Sequence, residues 1–188
     1  METVPDVTPK RDRRSAICET ALDLAATGGN RAVTHTAIDR ALDLPKGSTS
    51  YYFRTRVALL AAAVAHLTLI SRDSFAGTAS GGDAPAVVVA GYLHDLTTRR
   101  IRDVRARFAL APDAAALGSS SALRDCLFSP VAARDLFAER GAADPAGSAA
   151  DLVVYCEGVA AVALFSGSAT GRRELSESVG RCFPDLVQ

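Results

Sequence analysis

The chain has 188 residues, enough for one domain or a small domain fused to a larger one, and its 48% apolar content can fill a sizeable core. Its 21 basic and 21 acidic side chains cancel, so whole-chain charge carries no argument about nucleic acid. Ala and Leu outweigh β-branched residues, Trp is absent and aromatics are scarce, which favours helices and argues against a sugar- or peptide-binding β fold.

Residues 1–9 contain two prolines and no apolar periodicity, the pattern of a disordered arm. Lys10-Arg11-Asp12-Arg13-Arg14 is a charge run suited to a solvated helix start. A helix is expected from about Arg11 to Ala26, with Ile17, Ala21, Leu22, Leu24 and Ala25 as its buried stripe, stopped by Gly28-Gly29-Asn30.

The stretch from Val33 to Arg56 reads as a helix-turn-helix. Thr34 can N-cap a short helix whose stripe is Ala37, Ile38, Ala41 and Leu42. Asp43 stands where the chain must leave that helix, and Asp tolerates the left-handed conformation better than most residues. Leu44 is expected to plug the angle, held extended by Pro45. The segment Lys46 to Phe53 is a poor core helix: Thr49 and Phe53, four apart, can face inward, leaving Lys46, Gly47, Ser48, Ser50, Tyr51 and Tyr52 outward. Small hydroxyls, tyrosines and one cation on an outer face suit a DNA groove, and Gly47 would let the backbone come close.

This run resembles the DNA-binding motif of the tetracycline-repressor (TetR) family, which ends in a small-residue turn, a Tyr-aromatic-Phe run and a basic residue opening the fourth helix. Here that ending is Gly47-Ser48-Thr49-Ser50-Tyr51-Tyr52-Phe53-Arg54-Thr55-Arg56, followed by Leu59 and Leu60. The resemblance covers about Arg14 to Leu67; the family commonly has Gly in the turn where this chain has Asp43. It implies an all-α protein of about nine helices. Residues 10–56 would form a three-helix DNA-binding domain, and residues 57–188 a helical ligand-binding and dimerisation bundle. It also implies that Thr34 and Thr36 bind phosphate and that Lys46 anchors phosphate or reads a guanine. Ser48, Ser50, Tyr51 and Tyr52 would contact bases and backbone, and Arg56 would clamp the backbone. The Lys10–Arg14 arm could touch phosphates beside the motif. Residues 1–56 carry nine basic side chains against seven acidic, a small asymmetry in the direction of a DNA-binding head.

A helix from near Thr55 to about Phe75 has Leu59, Leu60, Ala63, Val64, Leu67 and Ile70 on its apolar face, with His66 as its exception. The apolar run Val57 to Ile70 is too short to span a bilayer, and the N-terminus lacks a signal core, so a soluble cytoplasmic protein is expected. Gly77 to Asp83 reads as a loop and domain boundary. Helices follow over Ala84 to Arg99 and Arg100 to Leu110, the latter with Val104, Phe108 and Ala111 apolar. Pro112 breaks the pattern before an Ala-rich turn and Gly118. Ser121 to about Glu139 is expected as a helix with Leu123, Leu127, Val131, Leu136 and Phe137 inward and a kink or break at Pro130. Gly141 to Gly147 is a loop; Ala149 to Ser166 is the most apolar segment, and Gly171 to Phe183 closes the chain.

The 149–166 helix is apolar nearly all round through Val153, Val154, Val159, Ala160, Ala163 and Leu164, so it needs cover on more than one side. In the family resemblance it and the 171–183 helix pair with their mates in a homodimer, because one small head reads half a palindrome. The resemblance also implies a pocket for a small-molecule effector in the body. Candidates are His66, Tyr92, Arg107, Phe108, Phe128, Tyr155 and Glu157, with His94, Arg105, Phe137 and Cys156 nearby in the pattern. The plainer reading of each is a core residue or a structural ion pair. Cys18, Cys126, Cys156 and Cys182 have no metal-ligand spacing, and His35, His66 and His94 assemble no catalytic set, so no enzyme, metal or cofactor is expected. The functional expectation is a dimeric repressor that binds a palindromic double-stranded operator, is released from it by a small-molecule effector and involves no membrane; an activator would use the same DNA-binding chemistry. The alternative is a helical adaptor that binds no DNA.

Overall fold

The computed structural model describes residues 10–79, 81–113, 118 and 120–187, so the N-terminal arm and the Ala-rich turn before Gly118 lie outside the described residues. Among the described residues there are ten α-helices and no strand: α1 (Lys10–Gly28), α2 (His35–Ala41), α3 (Ser48–Tyr52), α4 (Arg56–Ala79), α5 (Pro85–Thr97), α6 (Ile101–Leu110), α7 (Ser120–Asp125), α8 (Pro130–Glu139), α9 (Pro145–Ser166) and α10 (Arg172–Cys182).

The first three helices pack around Ile17, Ala21, Leu22, Ala25, Val33, Ile38 and Phe53, all buried. α1 reaches beyond this group and lies along both α4 and α6. The buried side chains of α1 to α3 therefore join those of the body in one continuous cluster. Leu59, Leu60, Ala63, Val64 and Leu67 of α4 belong to it as expected. At 24 residues α4 is about 36 Å long, so it runs from the head deep into the body.

Several boundaries and faces differ from expectation. α4 continues through Gly77 to Ala79, which shortens the expected loop. The 121–139 segment is two helices, because Pro130 sits in the first turn of α8, where its missing N–H costs nothing. Ser129 caps that helix by accepting the Ala132 N–H at 3.2 Å. α9 starts at Pro145, four residues earlier than expected, with Asp144 accepting the Gly147 N–H at 3.0 Å. Ala41, Phe108, Ala111 and Val131, expected on apolar faces, are exposed. The buried face of α6 is instead Asp103, Val104, Ala106 and Leu110. By length and composition alone both α4 and α9 could cross a membrane, because α4 extends well beyond the 57–70 run and α9 is apolar over most of its length. In this fold α4 packs on α1 and α5, and α9 packs on α5, α6 and α8.

Candidate nucleic-acid interface and the body cavity

The turn between α2 and α3 is built around a residue the motif reading passed over. Asp39, 4% exposed, accepts hydrogen bonds from the Gly47 N–H at 2.8 Å, the Thr49 N–H at 2.8 Å and the Thr49 hydroxyl at 2.6 Å. The first turn of α3 is thereby hung from α2. Burial pushes the Asp39 carboxyl up, but the donors from Thr49 and Gly47 outweigh it and hold the carboxyl below its ordinary value. Asp43 takes the left-handed conformation with φ 50°, as the turn requires. Gly47 has φ 92°, so its glycine is required by the turn itself.

Thr49 and Phe53 face inward as expected, 0% and 3% exposed. His35 donates from Nε2 to the Phe53 carbonyl at 2.7 Å, tying α2 to the far end of α3. Arg14 completes the clamp: it donates to the Tyr52 carbonyl at 3.0 Å and lies 4.3 Å from the centre of the Phe53 ring. What this frame presents outward is Lys46, Gly47 and Ser50, with Tyr51 72% exposed and packed edge-on against Tyr52 at 5.3 Å. Ser48 is half-buried, its hydroxyl donating to the Pro45 carbonyl at 2.6 Å. Thr36 is exposed, and Thr34 is exposed but also caps α2 through the Ala37 N–H at 3.1 Å.

Arg56 is placed differently from the expected phosphate clamp. Its guanidinium turns inward and donates to the Val33 carbonyl at 3.3 Å and the Asn30 carbonyl at 2.8 Å, and also to the Asn30 side chain. It ties the turn after α1 to the start of α4. Thr55 caps α4, accepting the Ala58 N–H at 3.1 Å.

In the body, a cavity of about 150 Å³ lies between α4, α5, α8, α9 and the α7–α8 link. Tyr92, Phe128 and Cys156 line it; His66, Arg107, Phe108, Tyr155 and Glu157 do not. Arg107 and Glu157 form a bidentate pair at 2.5 and 2.6 Å, and Arg107 also donates to the Leu123 and Arg124 carbonyls. With Phe108 they border a separate surface depression. The Tyr155 ring packs edge-on against Phe183 at 5.7 Å. His66 donates to Glu19 at 2.7 Å across the α1–α4 contact.

A chain of charged groups links the cavity wall to α1. Arg100 donates to Ser71, a lining residue, at 3.0 Å, and its guanidinium lies 5.8 Å from the centre of the Tyr92 ring. It also donates to Asp103 at 2.9 Å, a carboxylate only 1% exposed. The other Asp103 oxygen is 2.8 Å from Arg102 in an ion pair without hydrogen-bond alignment. Arg102 then donates to Glu19 at 2.7 Å and to Asp23 at 3.1 Å, both on α1. Burial raises the Glu19 carboxyl, but Arg102 and His66 together hold it below its ordinary value. Partners 83 residues apart leave no local sequence signal, so this chain was not legible beforehand.

No protein-family model and no curated protein matches the chain. Among solved structures it is similar to a member of the TetR family, SCO1917 from Streptomyces coelicolor A3, at 19% identity, covering 93% of this chain and 98% of that one with a TM-score of 0.74. It is also similar to the multidrug binding protein EbrR, solved in complex with imidazole, at 22% identity, covering 90% and 94% of the two chains with a TM-score of 0.62. With its helix-turn-helix head, long α4 and helical body all matched along nearly the whole chain, the protein has the TetR-family fold.

Proposed function

We propose that the protein is a transcriptional regulator that binds operator DNA as a homodimer and is released, or recruited, by a small molecule in the body cavity. The observation that carries this is the outer face of α3. Lys46 in the preceding turn and Ser50 and Tyr51 on the five-residue helix stand exposed, while three side chains, Asp39, His35 and Arg14, hold that backbone from behind. Rigid presentation of small hydroxyls and an aromatic is what base-edge readout needs.

The head comprises residues 10–56 and the body residues 57–188. Lys46 anchors phosphate or a guanine, and Thr34 and Thr36 position the first motif helix on the backbone. Ser48, Ser50, Tyr51 and Tyr52 complete the contact face, with Arg56 left as an internal strut. Two heads reach successive major-groove faces only when a twofold partner holds them about 34–36 Å apart or a multiple of it. α9 supports such a partner: Val154, Val162 and Phe165 are 71%, 61% and 86% exposed, and with Gly158 they fall on one face. α10 would flank the same interface. In this reading α4 and α9 are core and interface helices of a soluble cytoplasmic protein, not membrane spans, and the chain performs no catalysis.

The Arg100–Asp103–Arg102–Glu19 chain supports coupling between body and head. A buried carboxylate shared by two arginines resists losing either, so a shift of Arg100 at the cavity wall transmits to Arg102 and α1.

The test is selection of bound duplexes from a random DNA pool, with binding then re-measured against salt. Recovery of one inverted repeat, with affinity falling steeply as salt rises, is expected. Lys46→Ala should weaken binding to that duplex by about 1–3 kcal/mol. Recovery of no duplex at low salt would instead leave a helical adaptor on the same fold.

A further inference from the structure

We infer that the body cavity takes a small, uncharged, apolar molecule of about the size of one benzene ring. The inference rests on the regulator reading only in calling that molecule an effector; the site itself stands on its geometry.

The volume sets the size. An apolar cavity of about 150 Å³ holds on the order of one benzene-sized molecule. The wall sets the shape. Phe75, Tyr92 and Phe128 form a run of edge-to-face rings, 5.6 Å from the first to the second and 6.2 Å from the second to the third. Val89, Leu127 and Leu152 add buried aliphatic lining. A flat ring or a short branched chain fits against such a run.

The polar groups of the lining set the charge, because its hydroxyls and its one carboxylate already have partners within the protein. The Tyr92 hydroxyl donates to the Leu127 carbonyl at 2.6 Å. Ser71 accepts from Arg100, and Thr68 donates to the Val64 carbonyl at 3.0 Å. Ser129 is the cap of α8, and Asp125 is paired with Arg124 at 2.8 Å. A ligand carrying a charge into this wall would lose its hydration and gain little counter-charge, since the half-buried Arg100 stands behind Ser71, outside the lining, and its charge is already paired with Asp103 although its Nη1 has no hydrogen-bond partner. The one cation among the lining residues, Arg72, is exposed at the rim.

Two thiols face the same space, Cys126 and Cys156. Both are pushed up to about 12, in each case by burial first, so they remain protonated and weakly polar at neutral pH. A thiol in that state is apolar lining, and it is not a nucleophile that would capture an electrophilic ligand.

The experiment titrates the full chain, without DNA, with three probes of one size: toluene, benzoate and benzylammonium. Calorimetry and protein NMR should show saturable one-to-one binding of toluene, with shifts confined to the methyl groups around Tyr92, Leu127 and Leu152. The two ions should bind at least about tenfold more weakly. Filling the cavity with Cys156→Phe should abolish toluene binding. Ala133→Leu, at a half-buried lining position where extra volume threatens the fold less, should weaken it in the same direction. Benzoate binding tighter than toluene, and lost in Arg72→Ala, would overturn the assignment in favour of an anionic ligand. Saturation by none of the three, or toluene binding unaffected by both filling variants, would overturn it as well. A protein that binds toluene as described yet selects no duplex keeps this assignment and loses the regulator reading.

Discussion

Asp39 receives three donors from residues eight and ten positions away, and the two from the fully buried Thr49 have no other partner in the fold. Its replacement therefore leaves more than a lost contact. In Asp39→Asn the amide nitrogen would face at least one N–H donor, which would lose its partner, at a cost of about 1–3 kcal/mol. The pH dependence has a definite sign. The folded carboxyl lies below its ordinary value, so its stabilising effect is complete above the unfolded value of about 3.9 and is lost as pH falls through the lower, folded value. Glu19 acts in the same direction. Wild-type stability should thus decline below about pH 4, and Asp39→Asn should start lower and decline less steeply. Urea unfolding across that range, with hydrogen exchange at Gly47 and Thr49 as the local probe, measures both. Equal acid slopes in the two proteins would remove Asp39 as the staple of the turn.

At the scale of elements, α3 shows what a sequence pattern can and cannot convey. The inward pair Thr49 and Phe53 and the left-handed Asp43 were legible, because both follow from spacing and backbone preference within a few residues. Asp39 was not, since nothing in its own helix distinguishes a staple from a surface carboxylate. The inward bonds of Arg56 were hidden for a related reason: a cation opening a helix looks free until the Asn30 turn is folded against it. The exposed Phe108 and Val131 show the same limit in the body, where periodicity defines a face without saying whether another helix covers it. Gly47 allows two explanations to be separated. A Cβ there would meet nothing within 4 Å, so the intramolecular cost of Gly47→Ala is purely conformational. That cost is about 1–2 kcal/mol for a left-handed non-glycine residue. Thermal unfolding should show this loss, with Asn at the same position losing less. Unchanged stability with weakened duplex binding would mean that glycine serves close approach to the groove and not the turn.

For the molecule as a whole, the question is what covers α9. Its inner side is already occupied: Leu152, Cys156, Ala160 and Ala163 are buried against the body. Val154, Val162 and Phe165 have no such cover, although leaving one large aromatic and two valines exposed on one helical face favours association. Net charge of zero gives two copies no long-range repulsion to overcome. A twofold arrangement would bring each stripe against its counterpart, so every substitution acts twice. Burying one Phe contributes about 2–3 kcal/mol. Phe165→Glu should therefore weaken the dimer by several orders of magnitude once the cost of two facing carboxylates is included. Because Phe165 is 86% exposed, the same change should leave the helical circular dichroism and the melting of each protomer nearly unaltered. Sedimentation equilibrium should then show a dimer for wild type and a monomer for the variant. Binding to a selected inverted repeat should weaken, because two heads no longer share one body-to-body restraint, whereas binding to a single half-site should persist. A variant that stays dimeric would move the interface off this stripe, and a monomer that still binds the full repeat at wild-type strength would detach DNA recognition from dimerisation through α9.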